Sequence, residues 1–338
     1  MSRAYKYLVY FMGLLWIIMV LLDILYSLKI YGMDLKKFMN LPFIVFVIIP
    51  TPVPLFELPG IFTYYYMIFL LLLITIFFIY AIMNLSINRE NSALFKIAEF
   101  FALNLFLSIV YFEFINSLGE PVHVPITNSV PFYINFYELT NAGLYEELIT
   151  RVLYIGIPLF LYYRYKGIKM PWYRIIWGGN YRLGKPEITV WVISSVIFGI
   201  AHSAAWDWSK TPQAMLGGFL LGYLYLRYGL FADVLFHYSI DASDAILTTA
   251  LGSPVANSST QGILGLEYLV FIIGGIVVTA NYIYLLVTGK YKEDRPHNKI
   301  IKVSQVPTCP NCHSTNATLI YDDIYKCNNC NTVFRKIN

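Results

Sequence analysis

Long apolar runs recur along this chain, near 7–31, 62–86, 95–118, 138–164, 187–205, 212–228, 230–250 and 263–288. Each approaches the ~20 residues an α-helix needs to cross a bilayer. The pattern predicts an all-α polytopic membrane protein, a bundle of about eight transmembrane helices. The first run follows Arg3 and Lys6, is too long for a signal-peptide core and lacks a small-residue cleavage site, so it reads as the first span. From Leu41 to Pro54 the chain is apolar but short and interrupted by Pro42, Pro50, Pro52 and Pro54, which predicts a surface or re-entrant segment. No internal repeat is visible.

Composition agrees with the pattern. Hydrophobic residues make up 58% and charged residues 13% of the 338, against about 45–50% and about 25% in soluble domains. The net charge of +4 is small and its basic residues sit in a few loops, which argues against a nucleic-acid partner. Loop 164–186 carries Arg164, Lys166, Lys169, Arg174, Arg182 and Lys185, while 119–137 and 251–262 carry no Lys or Arg. The positive-inside rule then predicts an integral protein of the plasma membrane or its equivalent, with both termini cytoplasmic. Lys290, Lys292, Arg295, Lys299 and Lys302 agree with that orientation, and Lys36 and Lys37 run against it.

Ionisable groups at bilayer depth are costly and therefore informative. Glu146, Glu147 and Arg151 fall in one apolar run, with Glu147 and Arg151 four apart on one helical face. His202 closes the next run, and His237 and Asp241 again lie four apart. Gly217, Gly218 and Gly222 between them predict close helix packing. Carboxylates and imidazoles on neighbouring helices are the groups that activate water, either directly or through a metal. No His-Glu-x-x-His occurs, so a soluble-type zinc protease is not indicated. Structural readings compete: a register-fixing ion pair, an interfacial histidine, a local His–Asp hydrogen bond. Two acids against one base, however, leave an uncompensated buried charge. Asp23, Glu99 and Glu113 also lie in apolar runs, without an evident partner set.

Glu-Glu-x-x-x-Arg at 146–151, Phe-x-x-x-His at 198–202 and His-x-x-x-Asp at 237–241, in that order on successive apolar runs, resemble the CPBP family of type 2 CAAX prenyl endopeptidases and Abi-type bacteriocin-processing membrane proteins. The resemblance covers residues 138–250. It implies an intramembrane endopeptidase in which Glu146 activates water with His202. His237 and Asp241 bind the oxyanion or a divalent metal held with His202, and Glu147 and Arg151 brace the site. Which glutamate is the base stays open, as does the choice between metal-dependent and glutamate-only hydrolysis. The last motif position is Asn or Asp in the family. An ionised aspartate cannot donate to an oxyanion, so Asp241 has to act either protonated or as a metal ligand.

All four cysteines lie near the C-terminus, as Cys309-x-x-Cys312 and Cys327-x-x-Cys330 separated by fourteen residues. This is a structural-zinc spacing, and it predicts a small ribbon of short β-hairpins over 307–338 with zinc on four thiolates. A four-thiolate site has no open position for water, so the ribbon reads as a docking module for a protein partner. The expected organisation is a helical bundle over 1–288 with the protease motifs at 138–250, a basic linker over 289–306, and the ribbon. The leading functional expectation is hydrolysis of a peptide bond in a membrane-associated or prenylated substrate. A non-catalytic scaffold or immunity-type protein is the main alternative, and a proton-relaying transporter the lesser one.

Overall fold

The computed structural model describes residues 3–87, 92–119, 131–168, 170–206, 208–249, 258–289, 308–321 and 324–335. All eight apolar runs are helical. In chain order the elements begin with α1 (Arg3–Asp34), a 3-10 turn (Leu35–Asn40) and an antiparallel hairpin of β1 (Phe43–Ile49) and β2 (Thr51–Leu58). Next come α2 (Gly60–Ile87), α3 (Ala93–Ser117) and α4 (Phe132–Glu147), the last passing through a π-helical segment (Leu148–Gly156) into α5 (Ile157–Tyr165). A single turn, α6 (Arg174–Trp177), precedes α7 (Lys185–Trp206), a 3-10 turn (Trp208–Lys210), α8 (Thr211–Arg227), α9 (Leu230–Thr249) and α10 (Ser258–Val287). Strands β3 (Ala317–Tyr321), β4 (Ile324–Cys327) and β5 (Val333–Arg335) form a small antiparallel sheet. The linker expected over 289–306, apart from Gly289, lies outside the described residues, as do most of the predicted loops 119–137 and 251–262.

Among the described residues, α1, α2, α3, α7 and α10 contain stretches long and apolar enough to cross a bilayer. The other predicted spans, α4 with its π continuation, α8 and α9, are shorter or more polar. Two of these carry the motif acids, which is why they fall short. Outward faces are apolar, as with Leu14, Leu21 and Leu28 on α1 and Leu72, Ile76 and Ile79 on α2, a surface that suits lipid better than water.

At the centre α9 packs on α4, α7 on α8, and α3 on α10. Gly143 lets α4 approach α9 so closely that a Cβ there would lie 2.9 Å from the backbone of Tyr238. The expected small face of α8 is real at Gly218, against the Ser195 backbone, and at Gly222, against the Trp191 ring, while Gly217 has open space. Tyr228 and Gly229, the latter at φ +106°, turn α8 directly into α9.

Helix α1 is fastened to the back of α9 by polar contacts. Trp16 Nε1 donates to Ser239 Oγ at 3.1 Å, Ser243 Oγ donates to Asp23 Oδ2 at 2.8 Å, and the Ser27 and Tyr238 hydroxyls share a bond at 2.8 Å. Asp23 is thus a buried inter-helix contact, and Glu99 is partnered by Lys96 at 2.7 Å and by the Tyr5 hydroxyl. The lack of partners expected for both is corrected. Glu113 is exposed near the end of α3.

The prolines of 41–54 do not break the chain into an irregular segment. Pro54 and Pro52 pair with Phe46 and Ile48 across the hairpin. The Phe46 N–H and C=O and the Ile48 C=O are bonded away from β2, so these are pairs whose polar groups face outward. Proline fits such positions because the ladder asks no donor of it. A proline there also leaves no N–H unsatisfied.

Candidate active site

Glu146 and Glu147 occupy the last turn of α4, just where the helix widens into the π segment; π-helical turns are rare and cluster at functional sites. Adjacent on a helix, the two carboxylates point about 100° apart, and their surroundings differ accordingly. Glu147 is sealed: its Oε2 accepts from Arg151 Nε at 2.7 Å and its Oε1 meets His237 Nδ1 at 2.9 Å, with both Glu147 and Arg151 fully buried. Arg151 also donates from Nη1 to Ser194 Oγ at 2.9 Å, and its guanidinium lies 5.1 Å from the Phe198 ring centre. Ser194 passes the chain on to Thr150 O at 3.0 Å.

Glu146 faces the other way and is 23% exposed. Its Oε2 has no hydrogen-bond partner among the described residues and lies 3.9 Å from His202 Nε2. His202 Nδ1 is 2.8 Å from the Phe198 carbonyl. A carbonyl only accepts, so Nδ1 carries the hydrogen and, in the neutral ring, the Nε2 lone pair is turned towards Glu146. Phe198 stacks obliquely on His202 at 4.7 Å and lies 5.9 Å from His237, setting the spacing of the two imidazoles.

His237 sits between two acids, with Nδ1 on Glu147 and Nε2 at 3.3 Å from Asp241 Oδ2. Asp233, one turn earlier on α9, brings Oδ2 to 4.0 Å from Arg151 Nε, while its Oδ1 accepts from the Val234 N–H at 2.7 Å. All six expected residues therefore gather in one place. Asp233 and Ser194 were not anticipated. For Asp233 the signal was present, because Asp233, His237 and Asp241 repeat every four residues along one face; for Ser194 there was none.

The segment that holds this constellation has a counterpart among known families. Residues 128–243 match the family described as type II CAAX prenyl endopeptidase, Rce1-like. The match spans about a third of the chain and takes in α4, the π segment, α7, α8 and most of α9. No curated protein and no solved structure matches. The Rce1-like segment thus contains every motif residue, while α1, the β1–β2 hairpin, α2, α3, α10 and the ribbon lie outside it.

Two metal questions arise. A divalent ion on His202, His237 and Asp241 would use His237 Nε2, which lies 3.3 Å from Asp241 Oδ2, because Nδ1 is taken by Glu147 at 2.9 Å. Among the described residues, the ligand atoms of those three side chains do not converge into a cluster that would hold an ion. In the ribbon the four Sγ atoms lie within 4.8 Å of one another, and Cys309–Cys330 and Cys312–Cys327 approach to 3.6 and 3.4 Å. Zn–S bonds of about 2.3 Å place tetrahedral sulfurs roughly 3.8 Å apart, so this set fits zinc. The separations are far beyond the ~2.05 Å of a disulfide. Hydrogen bonds from Thr332 hold the Cys330 thiol down at about 6, which favours the thiolate a metal requires. Among the described residues this is the one cluster of three or more metal-ligand side chains.

Proposed function

We propose that this protein is an intramembrane endopeptidase that hydrolyses a peptide bond in a membrane-associated, prenylated substrate with a glutamate-activated water. One observation carries the reading: the buried Glu146 Oε2, with no hydrogen-bond partner among the described residues, lies 3.9 Å from a His202 Nε2 whose tautomer is fixed from behind. That gap is too long for a direct hydrogen bond and suits a water bonded to both at about 2.8 Å.

In this mechanism Glu146 takes a proton as the water oxygen attacks the scissile carbonyl carbon, while His202 holds the water through Nε2. The tetrahedral oxyanion forms beside Asp241, whose carboxyl group acts protonated and donates to it, while its Oδ2 accepts from His237 Nε2. Glu146 returns its proton to the leaving amide nitrogen, and the C–N bond breaks. Glu147 and Arg151, both fully buried, orient His237. A peptide substrate, the surrounding bilayer and a protein partner for the ribbon complete the assembly. The division into a bundle over 1–288, a linker over 289–306 and a ribbon over 307–338, with both termini cytoplasmic, is part of the same proposal.

The test is cleavage of a farnesylated CaaX peptide by purified protein in lipid vesicles, followed by mass spectrometry. Glu146→Gln is expected to reduce kcat by at least about 10³-fold, towards the upper part of the usual range for a general base because activation of the nucleophile is lost with it, with thermal stability unchanged. Equal turnover by wild type and Glu146→Gln would overturn the assignment of Glu146 as base, and no turnover by the wild type would favour a scaffold.

A further inference from the structure

The hairpin lies outside the matched segment, yet it is bonded to the helix that carries the catalytic glutamates. The Tyr145 hydroxyl, next in sequence to Glu146, donates to Phe46 O at 3.1 Å and accepts from the Phe46 N–H at 3.0 Å. The Tyr154 hydroxyl, in the π segment, donates to Ile48 O. A group that gives one hydrogen bond and takes another from the same residue does what a paired strand residue does. The three backbone atoms come from alternate residues of β1, the set that a further strand would engage. The outer edge of β2 is unsuited to that use, because Pro52 and Pro54 face outward there without N–H groups.

We propose that the outer edge of β1 is the docking strand for the substrate, an extended apolar peptide segment that displaces the Tyr145 and Tyr154 hydroxyls and so runs alongside Glu146. The inference deepens the protease reading and rests on it. A peptide bond open to attack has left its helix, and its neighbouring N–H and C=O groups need partners in a medium that supplies none. The β1 edge offers them. The tyrosines keep that edge satisfied when no peptide is bound, so docking exchanges hydrogen bonds rather than creating a deficit. Phe43, Phe46 and Tyr66 surround the edge, with ring centres of 4.9 Å for Phe43–Tyr66 and 4.6 Å for Phe46–Tyr145, so aliphatic side chains are the ones it accommodates.

The experiment uses the full-length chain carrying Glu146→Gln, with a benzophenone amino acid placed at Phe46 or, as a control, at the lipid-exposed Phe56 on β2. The probe is a biotinylated peptide with a farnesylated cysteine followed by three residues, so capture is read without turnover. Expected is capture at 46 well above that at 56, competed by unlabelled peptide, and increased about 3- to 10-fold by Tyr145→Phe, which removes the competing hydroxyl. N-methylation of the peptide backbone is expected to abolish capture at every second residue. Equal capture at 46 and 56, or capture indifferent to N-methylation, overturns the docking strand. Absence of cleavage by the wild type with capture at 46 intact instead removes the protease reading and leaves a peptide-binding edge.

Discussion

At the level of single side chains, Glu146 and Glu147 show how neighbours with identical chemistry acquire opposite roles. Glu147 has both oxygens occupied and no access, whereas Glu146 keeps a lone carboxylate oxygen turned to His202. Removing Arg151 strips Glu147 of its countercharge, and breaking such a buried pair costs about 3–5 kcal/mol. Arg151→Met is therefore expected to lower the unfolding temperature markedly, whereas Glu146→Gln does not, as thermal denaturation in detergent will show. Asp241 makes a different prediction. Its Oδ2 faces His237 Nε2, and an asparagine keeps that acceptor while adding an N–H for the oxyanion. Asp241→Asn should retain or raise kcat, and Asp241→Ala should lower it about 10²- to 10³-fold, as for loss of one oxyanion donor; a steady-state comparison decides. The six motif residues were legible because charge inside an apolar helix is conspicuous. Which glutamate keeps an unpartnered oxygen was not, because that depends on how α9 and α7 pack, which the spacing along α4 alone does not reveal.

Between elements, the deciding contact is α4 on α9. Gly143 stands where a side chain would strike the Tyr238 backbone at 2.9 Å, one turn from Glu147 and next to His237. Gly143→Val is expected to separate the two helices and reduce kcat by about 10²-fold, a loss typical of a displacement near 1 Å, while KM changes little; kinetics on the prenylated peptide will report both. The helices themselves followed from hydropathy almost to their ends. The hairpin did not, since four prolines in fourteen residues read as breakers until the register shows that Pro52 and Pro54 occupy outward-facing pairs. The π segment was equally hidden, for its sequence Leu-Ile-Thr-Arg-Val-Leu-Tyr-Ile-Gly has nothing that sets it apart from an α-helix.

For the molecule as a whole, the chemistry and the scaffold come from different parts of the chain. The Rce1-like segment carries the motif residues, but α1 fixes α9 from behind through Trp16, Asp23 and Ser27, contacts that hydropathy could not foresee because they join residues more than two hundred positions apart. The ribbon is a second, separate packing unit with its own small core of Cys309, Tyr325, Cys327 and Phe334, and its four thiolates were plain from spacing alone. Elemental analysis is expected to find about one zinc per chain, as one four-thiolate site requires. It should be lost in Cys309→Ala/Cys312→Ala and kept in His202→Ala/His237→Ala. A second metal that vanished with the histidine pair would contradict the reading of the active site. The hairpin also bears on how the protein is made. A helix enters a bilayer with its own hydrogen bonds complete, but β1 cannot, because among the described residues the partners of its edge are Tyr145 and Tyr154, about a hundred residues later in the chain. Residues 43–58 must therefore wait at the membrane surface during synthesis and take their place only after α4 and the π segment are in the bilayer, so the hairpin is among the last parts of the bundle to assemble.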